Sequence, residues 1–232
     1  MKQILIALLA AYALSAQTQV PIGPPVAEWK DTIEAFGYRW AVPVAADWKV
    51  EEEGPQVLKM LMRRPQEQPR RPSQFAIAQT PDFEQVTVEA EVKRVGGSLI
   101  IVYAFRDKSH FNYAHLSVDE ATKQPVHNGI FHVFGGERVR ISSTEGPASL
   151  PSDKEWYKVR LEYGRKPGYV EVFVNDRPNP SLEAYDLSIR SGKVGIGSFF
   201  ETAWFRNVKI TGRTASASAK PASPESHSRP RR

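Results

Sequence analysis

Apolar residues recur at every second position through most of this chain from residue 85 onward, and that period suits a half-buried strand, not a helix. In "QVTVEAEVKRV" Val86, Val88, Ala90 and Val92 share one face, with Thr87, Glu89, Glu91 and Lys93 on the other. "GGSLIIVYAF" restarts after Gly96-Gly97, which reads as a hairpin connection. "HFNYAHLSV" alternates again, setting Ala114, Leu116 and Val118 against Tyr113, His115 and Ser117. Further strands are expected in "GIFHVF", "ERVRIS", "YKVRLEY", "YVEVFVN", "KVGIGSF" and "WFRNVKIT", broken by turns such as "GRKPG" and "DRPNP". Residues 26–36 form a short helix or nothing regular. Many short strands with Gly, Pro, Asn and Asp turns mean an all-β sandwich or barrel. At this length two large antiparallel sheets in jelly-roll order fit best.

The two ends read differently from the body. Lys2 followed by the apolar run Ile4 to Leu14 and by "SAQTQ" has the order of a signal peptide, residues 1–16. The run is about half of the ~20 residues that span a bilayer, so export to a periplasmic or extracellular location is expected, with no transmembrane segment in the mature chain. Residues 213–232 are rich in Ser, Ala and Pro and read as a disordered basic tail. Residues 17–212 remain as a single β-sandwich domain. "RRPQEQPRRPS" at 63–73 reads as a surface loop between two strands. The chain has no Cys, so an exported fold must rest on its core without disulfides.

Charge narrows the partners. The chain carries a formal +5, but the tail holds +4 and the first sixteen residues +1, leaving the body neutral. A nucleic-acid-binding body shows a basic stripe on the fold itself, so nucleic acid is excluded as the expected partner.

From about Trp48 to Thr211 the order of features resembles the concanavalin A-like sandwich of the 3-keto-disaccharide hydrolase domain family. The markers are a Trp-x-Val opening at Trp48 to Val50, "TPDFEQVTVEAEVK" with Phe83 ahead of an acidic alternating strand, and the Gly-Gly turn. They continue in "RDKSHFNYAHL", "EWYKVRLEY" around Trp156, "GYVEVFVNDRP" and the closing "SGKVGIGSF" and "WFRNVKI". The resemblance implies a secreted, glycan-directed sandwich, with hydrolysis of 3-keto-glycosides as one activity of the family. It supplies no defined catalytic residue pattern.

If the strands at 86–93, 99–105, 112–118 and 129–134 are neighbours in one sheet, Glu89, Glu91, Tyr103, Tyr113, His115 and His132 share a face pointing away from the core. On a concave sheet face that set makes a sugar groove, because aromatic rings pack on sugar C–H faces while carboxylates and imidazoles bond the hydroxyls. Glu89 and Glu91, two apart on a strand, stand about 6.5–7 Å apart at Cα and suit the carboxylate pair of a glycosidase. The alternative is that they simply solvate an exposed strand face. His115 and His132 are candidate proton acceptors for keto-sugar chemistry, with Arg106 or Asn128 to polarise a carbonyl oxygen. The catalytic candidates are therefore Glu89, Glu91, His115 and His132, and the substrate-binding candidates Tyr103, Arg106, Tyr113 and Asn128. No cofactor is called for: loop aspartates Asp82, Asp107, Asp119 and Asp153 would suit a structural calcium, but none forms a calcium-loop or other metal-ligand spacing. Trp156 and Trp204 are expected in the core. The glycines of "GKVGIG" are expected to allow close strand packing. Three readings stay open: a glycoside hydrolase, a lectin-like binding module and an exported scaffold.

Overall fold

Among the described residues strand follows strand, with one short 3-10 turn at Ala45–Asp47, as the alternation requires. The computed structural model describes residues 29–52, 54–65, 68–119, 127–143 and 146–215. Its strands are β1 Asp31–Ala35, β2 Tyr38–Val42, β3 Trp48–Glu51, β4 Val57–Met60, β5 Gln74–Ala78, β6 Phe83–Arg94, β7 Ser98–Asp107, β8 His110–Ser117, β9 Gly129–Phe134, β10 Glu137–Arg140, β11 Tyr157–Tyr163, β12 Tyr169–Val174, β13 Leu182–Tyr185, β14 Lys193–Ser198 and β15 Ala203–Thr214. Residues 31–35 are a strand, where a short helix or nothing regular was expected. The expected signal peptide and most of the tail lie outside the described residues. Arg213 and Thr214, placed in the tail from sequence, belong to β15 and pair with Gln85 and Phe83.

The strands form two antiparallel sheets packed face to face, a jelly-roll sandwich. The first runs β1-β2-β5-β14-β7-β8-β9-β10 and the second β13-β12-β11-β6-β15-β4-β3. Between them lies one core, to which β6 contributes Val86, Val88, Ala90 and Val92, β7 contributes Leu99, Ile101 and Tyr103, and β8 contributes Ala114 and Leu116. Trp40 and Trp48 are buried in it.

This arrangement separates residues that the sequence reading had placed together. β6 lies in the second sheet, while β7, β8 and β9 lie in the first. Gly96-Gly97 is therefore a crossing between sheets and not a hairpin. A Cβ on Gly96 would stand 2.6 Å from the Glu201 carboxyl carbon, whose oxygen accepts a hydrogen bond from Ser98 N at 2.5 Å. Glycine leaves room there for the Glu201 carboxylate to approach the backbone, which leaves the same mark in a sequence as a hairpin turn.

The two outer faces differ. On the first sheet the outward side chains Phe75, Phe105, Phe111, Tyr113 and Phe131 are themselves buried, with Trp29 and Phe199 packed over them. Arg138 lies over the rings of Phe131 and Phe199, Arg140 over Phe131 and Arg70 over Phe199, closing this layer. On the second sheet the outer face is open and charged. Trp156 and Trp204 stand there, partly exposed, under Arg206 and under Lys59 with Lys93. Both were expected in the core; a half-exposed Trp beneath a cation keeps its apolar body covered without entering the interior.

Candidate functional site

The residues proposed from sequence occupy five separate environments. Glu89 and Glu91 project from β6 on the open face of the second sheet. Glu91 is clamped by Arg206 Nε at 2.7 Å and by Asn207 Nδ2 at 2.7 Å. Asn207 reaches it from a bulge in β15, where its φ is +52° and the register slips between Arg206 and Lys209. The Asn207 hydrogen bond, with help from Arg206, holds the Glu91 carboxyl below the usual range against the opposing effect of burial. A carboxylate stabilised in its charged form does not suit the proton donor of a glycosidase pair and suits only the pair's ionised member.

Tyr113 and His115 do point away from the main core, as expected, but into the closed aromatic layer. His115 is fully buried, stacks on Phe199 at 5.6 Å and meets His127 edge-on at 5.2 Å. Burial, then the charges of His127, Arg138, Arg70 and Arg140, push its pKa well below the ordinary 6.5. Tyr103 points into the interior and packs at a tilt against Tyr163, ring centroids 4.9 Å apart. The error has a physical source: Ile100 and Val102 on the other side of β7 are equally buried, so that strand carries no alternation to read. Asn128 is a buried staple, donating to Pro147 O at 3.0 Å and accepting from Ser149 N at 2.8 Å. None of Tyr103, Tyr113, His115 or Asn128 lies on an open groove.

His132 and Arg106 are different. His132 pairs in register with Asn112 and lies on the Ile130 side of β9, the opposite face from His115, at one end of the sandwich. Nearby is a cleft of about 490 Å³ lined by Arg106, Asp107, His110, Phe134, Leu187, Ser188, Ile189 and Arg190. We take this as the candidate site.

Local sequence builds it. A bulge between Tyr103 and Asp107, with Ala104 at φ +50°, re-aims Arg106 so that Nε and Nη2 both donate to Ser191, each at 2.5 Å. The turn into β8 is closed by Asp107, which accepts from Ser109 N at 2.7 Å and pairs with His110 Nδ1 at 3.0 Å. Phe134 ends β9 just before the Gly135-Gly136 turn, whose φ values of +60° and +88° demand glycine-like freedom. The turn leaves Phe134 54 % exposed, with His110 edge-on at 4.9 Å and His132 stacked at 5.5 Å.

The far wall is the segment after β13. Asp186 accepts from Ser188 Oγ at 2.6 and 2.7 Å, from Ser188 N at 3.1 Å and from the buried Asn112 Nδ2 at 3.2 Å. Burial would raise its pKa, but the Ser188 and Asn112 hydrogen bonds, with the nearby His132, outweigh burial and hold it below the ordinary 3.8. With Asn112 Nδ2 donating to Asp186, Asn112 Oδ1 accepts a hydrogen bond from His132 Nδ1 at 2.9 Å, and Asp186 stands 3.4 Å from the same nitrogen. The imidazole is thus fixed as the Nδ1–H tautomer, with Nε2 its remaining acceptor. Ser, His and Asp meet here without forming a nucleophilic relay. Ser188 and Asp186 both address Nδ1, whereas a relay needs the hydroxyl on the opposite nitrogen. Arg190 has no hydrogen-bond or ion-pair partner among the described residues. No group of three or more His, Asp or Glu side chains is placed to hold a metal among the described residues, and no helix among them is long and apolar enough to cross a membrane.

Phe134, Asn112, Asp186, Ser188 and Arg190 were missed. "DLS" at 186–188 carries a signal, an Asp two residues before Ser after a strand, which is the pattern of an Asx turn. Phe134 before Gly-Gly carries another, a large ring at the tip of a hairpin.

No family model matches the chain, and no curated protein matches it. Among solved structures, it is similar to the carbohydrate-binding module CBM66 from Bacillus subtilis, with 16% identity and a TM-score of 0.55, covering 75% of this chain and 95% of that one. It is also similar to the exoplasmic/lumenal domain of VIP36 in a form bound to Ca2+ and Man3GlcNAc, at 11% identity and a TM-score of 0.45, covering 78% and 86%. A protein of unknown function with a galectin-like fold from Bacillus subtilis matches at 16% identity and a TM-score of 0.42, covering 71% and 89%. The likeness is one of fold: this chain is a concanavalin A-like jelly-roll sandwich of two antiparallel sheets.

Proposed function

We propose that this chain is an exported carbohydrate-binding sandwich that takes a sugar in the cleft at the end of the first sheet. The observation that carries this is Phe134, an exposed ring with one imidazole stacked on it and a second edge-on, beside fixed polar groups. An apolar ring beside aimed donors and acceptors is what a sugar requires, since it presents C–H faces and hydroxyls together. Arg190 is the donor left to a ligand. The fold shared with a module named for carbohydrate binding supports the same reading. Glycan panels read by thermal shift test it: a saturating ligand raises Tm by several degrees, from about 2.7 kcal/mol at a hundredfold excess over Kd. Phe134→Ala should remove the shift and Phe134→Trp keep it. A shift unchanged by Phe134→Ala would move the sugar elsewhere.

The Asp186–His132 pair favours a second reading, hydrolysis of a 3-keto-glycoside. His132 Nε2 would take the proton from the carbon between the keto group and the anomeric carbon. The electron pair then expels the aglycone oxygen from the anomeric carbon as that oxygen takes a proton from water; the hydroxide so formed adds to the anomeric carbon of the enone, and the His132 imidazolium returns its proton to the carbon from which it came. Turnover of a 3-keto-disaccharide that is lost in His132→Gln, with binding retained, supports this reading; no turnover leaves a binding module.

A further inference from the structure

The cleft does not end at Leu187. Gly168, at φ +79°, has no side chain, and a Cβ placed there would stand 2.8 Å from the Tyr185 ring and 2.9 Å from Leu187 Cδ2. Both side chains therefore lie down against the same backbone, and Leu187 joins Tyr185 to the cleft. Tyr185 in turn packs on Tyr169, its register partner across β13 and β12, with ring centroids 5.0 Å apart. Phe134, Leu187, Tyr185 and Tyr169 are 54, 38, 53 and 46 % exposed. They form one line from the end of the first sheet over edge strand β13 onto the second sheet.

Beside the tyrosines the sheet carries an unusual row. Glu162, Glu171 and Glu183 stand directly opposite one another on β11, β12 and β13. Glu162 is neutralised by Arg160 and Arg165. Glu171 and Glu183 have no hydrogen-bond or ion-pair partner among the described residues, although like charges in register are destabilising. Exposed rings flanked by carboxylates with open acceptor capacity repeat, on the second sheet, the chemistry of the cleft: faces for C–H groups and acceptors for hydroxyls.

We infer that the ligand is an oligosaccharide chain of several units, held at one end in the Phe134 cleft and laid along Leu187, Tyr185 and Tyr169. This rests on the carbohydrate reading of the cleft. It adds that the site measures chain length: short sugars fill the cleft alone, and longer ones gain the two tyrosines. Glu171 and Glu183 accept hydroxyls of the distal units.

Titration of the full chain with the mono- to octasaccharide ladders of β-1,4-glucan, β-1,4-xylan and β-1,4-mannan, by calorimetry, tests this. Affinity should rise about tenfold or more from the disaccharide to the hexasaccharide, as expected when two stacked rings add about 1.4 kcal/mol between them. Tyr169→Ala with Tyr185→Ala should erase that gain and leave disaccharide affinity unchanged. The paired Tyr→Phe substitutions should retain it, since the ring faces and not the hydroxyls do the packing. Phe134→Ala should weaken every length equally. Length-independent affinity in the parent protein, or a gain that survives both Tyr→Ala changes, would overturn the extended track while leaving the cleft in place. No binding of any ladder would overturn the cleft reading itself and the track with it.

Discussion

At the scale of the residue, two histidines that look alike in the sequence have opposite characters. His132 is mostly buried but reaches the surface, with Nδ1 tied to Asn112 and Asp186. His115 is sealed in the aromatic layer, and neither ring nitrogen has a hydrogen-bond partner among the described residues. Its folded pKa lies well below the ordinary 6.5, with burial the main cause. Below pH 6.5 the unfolded chain therefore binds a proton that the folded chain refuses. Stability falls on acidification through that range, by up to about 1.4 kcal/mol per pH unit until the folded pKa is reached. His115→Phe keeps the stacking and removes the titration. Urea unfolding at pH 7 and pH 5 should show a smaller acid loss in this variant, and equal losses would refute the assignment. The sequence showed a cluster of histidines between 110 and 132 but not its division, because one residue of register decides which face each takes.

At the scale of the element, strands with one wet face were legible and strands buried on both were not. β6 alternates valine with charge, and its faces fall as the pattern predicts. β7 is apolar on both sides because the first sheet packs against the core within and against an aromatic layer without. β14 was legible by its glycines: Cβ atoms at Gly195 and Gly197 would meet Ile77 Cδ1 at 2.5 Å and Phe75 Cα at 2.6 Å. Gly197→Ala should cost about 1–3 kcal/mol by overpacking, read as a fall in the urea midpoint. No change in midpoint would mean that β5 and β14 separate freely.

At the scale of the whole molecule, sheet order decides function, and order does not show in a periodicity. The crossing at Gly96-Gly97 sends β6 to the second sheet, so the carboxylates and imidazoles that looked like one catalytic surface stand on opposite sides of the sandwich. The site that does assemble draws on the β7–β8 turn, the end of β9 and the segment after β13, three pieces far apart in the chain.

Hydrogen–deuterium exchange with and without a bound oligosaccharide tests the placement of the site most directly. Protection is predicted at residues 106–112, 130–134 and 185–190, with none along 86–93 or 157–160. Protection centred on 86–93 and 157–160 would contradict it and return the sugar to the Glu89 and Glu91 face.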